Sequence, residues 1–156
     1  MRSTGPLWIG AALTASAAVF FPRIQGIRDT GDSWWRLAIF FVPQDREGVL
    51  LVPVVILLTL ALFALVGRRA WRDTDGRNRP AKVGLICSLV GVTGVLAFFL
   101  SAPIIGGGLG ATLGVEGWRR APREGRGTIA AAAIGVGAVA MTIGAAIWAF
   151  AEELSI

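Results

Sequence analysis

The side chains of this chain that could do chemistry lack the partners such chemistry needs. Glu116 is the nearest candidate for a charge within a span, two residues before Trp118 and close to Arg119 and Arg120. That setting predicts an interfacial ion pair, a weak interaction when exposed. A serine nucleophile needs an adjacent base, and the chain contains no histidine. Ser88, Thr93, Thr112 and Thr142 are therefore expected to be hydrogen-bond donors between helices. Lys82 is the single lysine, and its place beside an apolar block gives no support to Ser–Lys chemistry. The run Gly106-Gly107-Gly108-Leu109-Gly110 has the glycines of a phosphate loop but neither the following Lys-Ser/Thr nor a preceding strand. Cys87 stands alone, which excludes an intramolecular disulfide and a multi-cysteine metal site. Asp29, Asp32, Asp45 and Glu47 each have an arginine nearby and read as a charge-balanced, solvated loop. No catalytic, cofactor-binding or metal-ligating residue is assigned, and a non-enzyme is expected.

The elements that carry these residues are apolar. Of 156 residues, 54% are hydrophobic and 16% charged, against about 25% charged in a soluble domain. Mean hydropathy is +0.67. An all-α integral membrane protein is expected. The uncharged blocks are residues 7–21, 49–67, 83–115 and 128–151. A helix crosses the ~30 Å hydrocarbon core in about 20 residues, so the second and fourth blocks each cross once. The third would make a helix of about 50 Å, too long for one ordinary span. Ser101-Ala102-Pro103 lies near its middle and Gly106-Gly107-Gly108 follows. Proline biases the residue before it away from helical geometry, and glycine weakens the helix further. This predicts a hairpin of 83–100 and a shorter return arm, 104–118, which at about 22 Å either spans or is re-entrant.

Charge bias supports the hairpin. The loop 68–82 holds Arg68, Arg69, Arg72, Arg77, Arg79 and Lys82, and the loop 119–127 holds Arg119, Arg120, Arg123 and Arg126. Dense short basic loops face the cytoplasm, and only an even number of crossings puts both there. Five spans result, at 7–21, 49–67, 83–100, 104–118 and 128–150, with the N-terminus in and the C-terminus out. Trp8, Trp71 and Trp118 then fall at inner edges, and Trp34, Trp35 and Trp148 at outer edges, the headgroup zone tryptophan favours. Arg2 and Ala15-Ser16-Ala17 leave a cleaved signal open as the other reading of 7–21. Arginine dominance in an Ala-, Gly- and Val-rich chain reflects GC-rich codons, so a bacterial cytoplasmic membrane is expected. The isoelectric point near 11.2 is then a matter of membrane orientation, and no nucleic-acid partner is expected.

Small residues fill the C-terminal half. Gly106, Gly110 and Gly114 form a stripe four residues apart, Gly84, Ser88 and Gly91 line the preceding helix, and Ala131–Gly135 and Ala140–Gly144 repeat the spacing. Lipid gives helices no hydrophobic reason to associate, so close backbone approach must hold them. Gly106, Gly110, Gly114, Gly135 and Gly144 are the expected packing positions, within this unit or against a second copy. Residues 49–67, rich in Leu and Val with Pro53 as a kink, read as lipid-facing. In the outer segment 22–48, Trp34 and Trp35 open a nine-residue run with one charge, ended by Pro43. It is too short to span and reads as an interfacial helix or a docking surface. Residues 1–79 would hold two helices, that outer loop and the basic loop 68–79; residues 80–156 would form a Gly/Ala-rich three-helix unit.

From Pro80 to Phe150 the order is Gly-punctuated helix, proline turn, Gly-rich return helix, Arg-rich loop, and Gly125-Arg126-Gly127 leading into Thr128-Ile129-Ala130-Ala131-Ala132-Ala133-Ile134-Gly135. This resembles small bacterial membrane domains of unknown function, a likeness that implies an embedded hairpin plus helix and no catalytic residues. The function expected is that of a non-enzymatic scaffold or accessory subunit of a membrane complex. Its partners would be the lipid bilayer and either another membrane protein or itself. The alternative is a small transporter or channel subunit acting as a homo-oligomer, with carbonyls near Gly106–Gly108 as its polar path.

Overall fold

A computed structural model describes residues 3–30, 46–73, 77–94 and 101–150. All regular structure among them is helical: α1 (Gly5–Thr30), α2 (Arg46–Leu62), a π-helical stretch (Phe63–Gly67), α3 (Arg68–Arg72), α4 (Arg79–Thr93), α5 (Ala102–Glu124) and α6 (Gly127–Phe150). Two helical segments, 52–72 and 127–147, are long and apolar enough to cross a membrane, and 5–20 is a shorter apolar helix. The interfacial positions Trp34 and Trp35 lie outside the described residues.

The chain turns where the proline turn is expected, but the helix starts one residue earlier than proline sterics predict. Ser101 takes the left-handed conformation (φ 54°) and Ala102 already opens α5, with Pro103 in its first turn. Proline is tolerated there because the first helical N–H groups have no intrahelical acceptor. The Ser101 hydroxyl donates 2.9 Å to the Ala18 carbonyl of α1, fixing the turn against the first helix. The return arm is also longer than expected. α5 has 23 residues, about 34 Å, because its last turns pack on the chain around residue 78 instead of ending at Trp118. Similarly α1 runs to Thr30 and α3 carries the second span through Arg72.

α5 is the centre of the bundle. With steps of about 100° per residue, Gly106, Gly110 and Gly117 share one sector, Gly107 and Gly114 the next, and Gly108 lies far round the helix. Each sector meets a different neighbour. A Cβ on Gly106 would fall 2.7 Å from the Gly91 Cα, and one on Gly117 2.8 Å from Ala81, both on α4. On Gly107 it would meet the Gly137 carbonyl at 2.5 Å, and on Gly114 the Ile134 side chain at 2.9 Å, both on α6. On Gly108 it would meet Thr14 of α1 at 2.3 Å. The expected single stripe is thus divided: Gly106 and Gly110 serve α4, whereas Gly114 serves α6. These contacts run antiparallel to α5 in every case, so α4 and α6 lie parallel. Ser88 of α4 bridges them, its hydroxyl donating 2.7 Å to the Ala133 carbonyl.

In α6 the packing face is Ala133, Gly137, Ala140 and Gly144, all buried. Gly144 abuts Ile104, but Gly135 does not pack: a Cβ there meets nothing within 4 Å. The expected Ala131–Gly135 pair therefore lies on the outer face, since two residues turn the helix by about 200°. Thr93, Thr112 and Thr142 also differ from expectation, each hydroxyl bonding a carbonyl of its own helix. Serine and threonine readily satisfy themselves in this way.

The second helix buries Val55, Thr59, Phe63, Gly67 and Trp71, four residues apart. In a regular α-helix such positions advance about 40° per step and would leave the interface. The π-helical stretch has wider turns, and it keeps the stripe turned towards Leu7, Leu109 and Leu113. Trp71 is consequently buried within the bundle, and its indole N–H donates 3.2 Å to the Ser3 carbonyl. Leu57 and Leu65 face outward, 65% and 72% exposed.

Two alanine substitutions separate the glycine roles. Gly107→Ala should destabilise the folded protein by about 1–3 kcal/mol through overpacking, whereas Gly135→Ala should stabilise it by about 0.5–1 kcal/mol as a helix-interior Gly→Ala change. Thermal unfolding in one detergent should move the two midpoints in opposite directions.

Candidate functional site at the basic end

The helix directions bring the start of α1, the end of α3, the start of α4, the end of α5 and the start of α6 to one end of the bundle. Both basic loops meet there. The sequence places a cationic side chain at almost every turn of this end, but the structure gives these side chains different tasks. Arg68, Arg69, Arg72 and Arg119 are exposed. Arg120, grouped with them by its position in the sequence, is 3% exposed because it projects from α5 towards α3.

Arg120 and Glu116 form an i,i+4 pair on α5, with Nε 2.9 Å from Oε1. The guanidinium also donates to the Asp73 carbonyl at 2.7 Å and to the Trp71 carbonyl. These are acceptors at the end of α3, where helical carbonyls lack intrahelical donors and a cation complements the dipole. The Glu116–Arg120 pair is therefore a buried joint between α5 and α3, not the weak interfacial pair expected. Burial makes such a pair sensitive to loss of either member.

Asn78 supplies the second joint. It is left-handed (φ 42°), a conformation asparagine tolerates, and fully buried. Its side-chain amide donates to the Gly117 carbonyl at 2.8 Å and the Gly125 carbonyl at 2.7 Å. Its backbone N–H donates to Glu124 Oε2 at 3.2 Å, placing a carboxylate at the start of α4. The Gly125-Arg126-Gly127 signature is the α5–α6 turn itself, with Gly125 at φ 73° and Arg126 at φ 62°. The Arg126 guanidinium donates to the Arg77 carbonyl, closing the turn onto the α3–α4 connection.

Around these joints lies a concavity of about 210 Å³ lined by Asp73, Arg77, Arg79, Lys82 and Arg126. Asp73 pairs with Arg79 across 2.5 Å, leaving the lining strongly cationic. No known family matches the chain, and neither curated proteins nor solved structures provide a match. Among the described residues, no three His, Cys, Asp or Glu side chains cluster as metal ligands would. Gly106–Gly108, the expected carbonyl path of the pore reading, lie within α5 against α4, α6 and α1.

Asn78, Thr14 and Gly137 are structural residues that the amino-acid order alone did not point to. Asn78-Arg79-Pro80 carried a usable signal, since Asn and Pro are turn formers. Glu116 and Arg120 also carried one in their helical spacing. Arg120→Leu should cost about 3–5 kcal/mol by leaving the buried Glu116 without this partner. Adding Glu116→Leu should recover part of that loss. Equal, additive losses in a double-mutant cycle would show that the two side chains are not coupled.

Proposed function

We propose that this chain is a multi-pass protein of the bacterial cytoplasmic membrane, with five spans, the N-terminus in and the C-terminus out, acting as a non-enzymatic scaffold or accessory subunit. The outward face of α6 carries this reading. Ala131, Gly135, Ala138 and Thr142 are exposed along it at three- and four-residue spacing, whereas the glycines of α5 are taken up by internal contacts. Small residues let a neighbouring helix approach closely within lipid. That surface suits a partner's transmembrane helix better than the already occupied Gly106, Gly110 and Gly114.

Membrane insertion is supported by the apolar segments 52–72 and 127–147 and by outward Leu57, Leu65, Ile86, Leu89 and Val90. The convergence of both basic loops at one end agrees with a cytoplasmic placement of that end. Burial of Leu7, Ala11, Thr14 and Ala18 supports a retained first helix. The buried Glu116 and Arg120 are bonded to each other and Arg120 also to backbone, as structural groups are.

Gentle extraction followed by intact-complex mass spectrometry tests the role. A different membrane protein should accompany the chain in fixed stoichiometry, and Gly135→Leu should remove it while leaving the thermal midpoint within a few degrees. A homo-oligomer that conducts ions in vesicles would instead establish the channel-subunit alternative.

A further inference from the structure

The cationic concavity at the basic end continues into an apolar surface. Arg79, Lys82, Ile86, Leu89, Val90 and Thr93 are all exposed on α4, and steps of about 100° put them on one face. From the end of the bundle inward, that face passes from two cations to Ile86, Leu89 and Val90. Arg77 and Arg126 complete the cationic end from the two adjoining connections. Among the described residues the lining holds four cations and one carboxylate, Asp73, which is paired with Arg79.

The placement of the backbone adds to the charge. α6 begins at Gly127, next to the lining residue Arg126, and directs its positive end to this region, whereas the start of α4 is already served by Glu124. Unpaired N–H groups and the dipole at a helix N-terminus favour phosphate oxygens. Resting on the membrane placement proposed above, we infer that this concavity binds the phosphate of an anionic phospholipid headgroup, with an acyl chain lying along Ile86, Leu89 and Val90. A free phosphate satisfies the same charges, but the adjoining apolar face has the order of a lipid: phosphate first, hydrocarbon below it. Basic recesses beside transmembrane helices recognise lipid headgroups in this way.

The test is lipid titration of the detergent-solubilised full chain, read by native mass spectrometry, with phosphatidylglycerol and phosphatidylcholine as probes. Phosphatidylglycerol should bind in preference, at low stoichiometry. Lys82→Gln with Arg126→Gln should weaken it by about thirtyfold, each cation contributing about a factor of five. Arg68→Gln with Arg69→Gln removes the same charge from outside the concavity and should change binding by less than about threefold. Lys82→Gln alone lies on the exposed face of α4, leaves the α5–α6 turn untouched, and should still give about a fivefold loss.

Equal weakening by both double variants would overturn the site in favour of diffuse attraction. The absence of a headgroup preference would also overturn it. Displacement of the lipid by millimolar inorganic phosphate, with the same residue dependence, would overturn the lipid assignment and leave a phosphate site. Vesicle flotation is the separate arm: a chain that fails to enter bilayers of either lipid defeats the membrane reading itself, whereas one that inserts without lipid preference defeats only this inference.

Discussion

Close approach of the α5 backbone to its neighbours is the constraint on which the rest of the structure depends. In the membrane placement proposed above, hydrocarbon surroundings would remove the usual reward for burying apolar side chains, so helices would gain cohesion from dispersion over short distances. Glycine provides those distances on several sides of α5 at once, and the cost to helix propensity is offset by the contacts it permits. Because the approach is to backbone atoms such as the Gly137 carbonyl and the Gly91 Cα, a neighbour cannot relieve an added methyl by changing rotamer. Register between α4, α5 and α6 follows from where the glycines fall, and Ser88 adds a directional bond at their common seam.

The polar residues perform a complementary task. They are concentrated where helices end and where backbone groups lack intrahelical partners. Arg120 serves the end of α3, Asn78 serves carbonyls at the end of α5, and Ser101 joins the start of α5 to α1. Packing along the helices fixes their separation, while these bonds fix the connections between them. The cationic concavity results from the same arrangement, since bringing five helix ends together necessarily gathers their arginines.

Much of this was legible in the amino-acid order because charge and length are strong signals in an apolar chain. The hairpin around Ser101 and the meeting of the two basic loops follow from an uncharged block too long for one ordinary span. Positions within helices were less legible. Gly135 and Gly137 have the same residue type, and only the rotation of α6 against α5 decides which is inside. The burial of Trp71 was hidden for a related reason, since the π-helical turn before it alters the face it presents. The different fates of Arg119 and Arg120 depend on α3 ending beside one of them, a long-range fact that local sequence does not contain.

The bond from Ser101 to the Ala18 carbonyl also has a temporal side. α1 is synthesised well before α5, whose side chains, among them Ile104, Ile105 and Leu109, complete its buried face. At roughly 5–20 residues per second of translation, some 5–20 s pass between the emergence of these two surfaces. In the proposed membrane placement, the Thr14 face of α1 would meet only lipid, the insertion machinery or the second helix during that interval. The first helix would then have to be stable alone or paired before its final neighbour exists, and the native bundle closes only when the last third of the chain has been made.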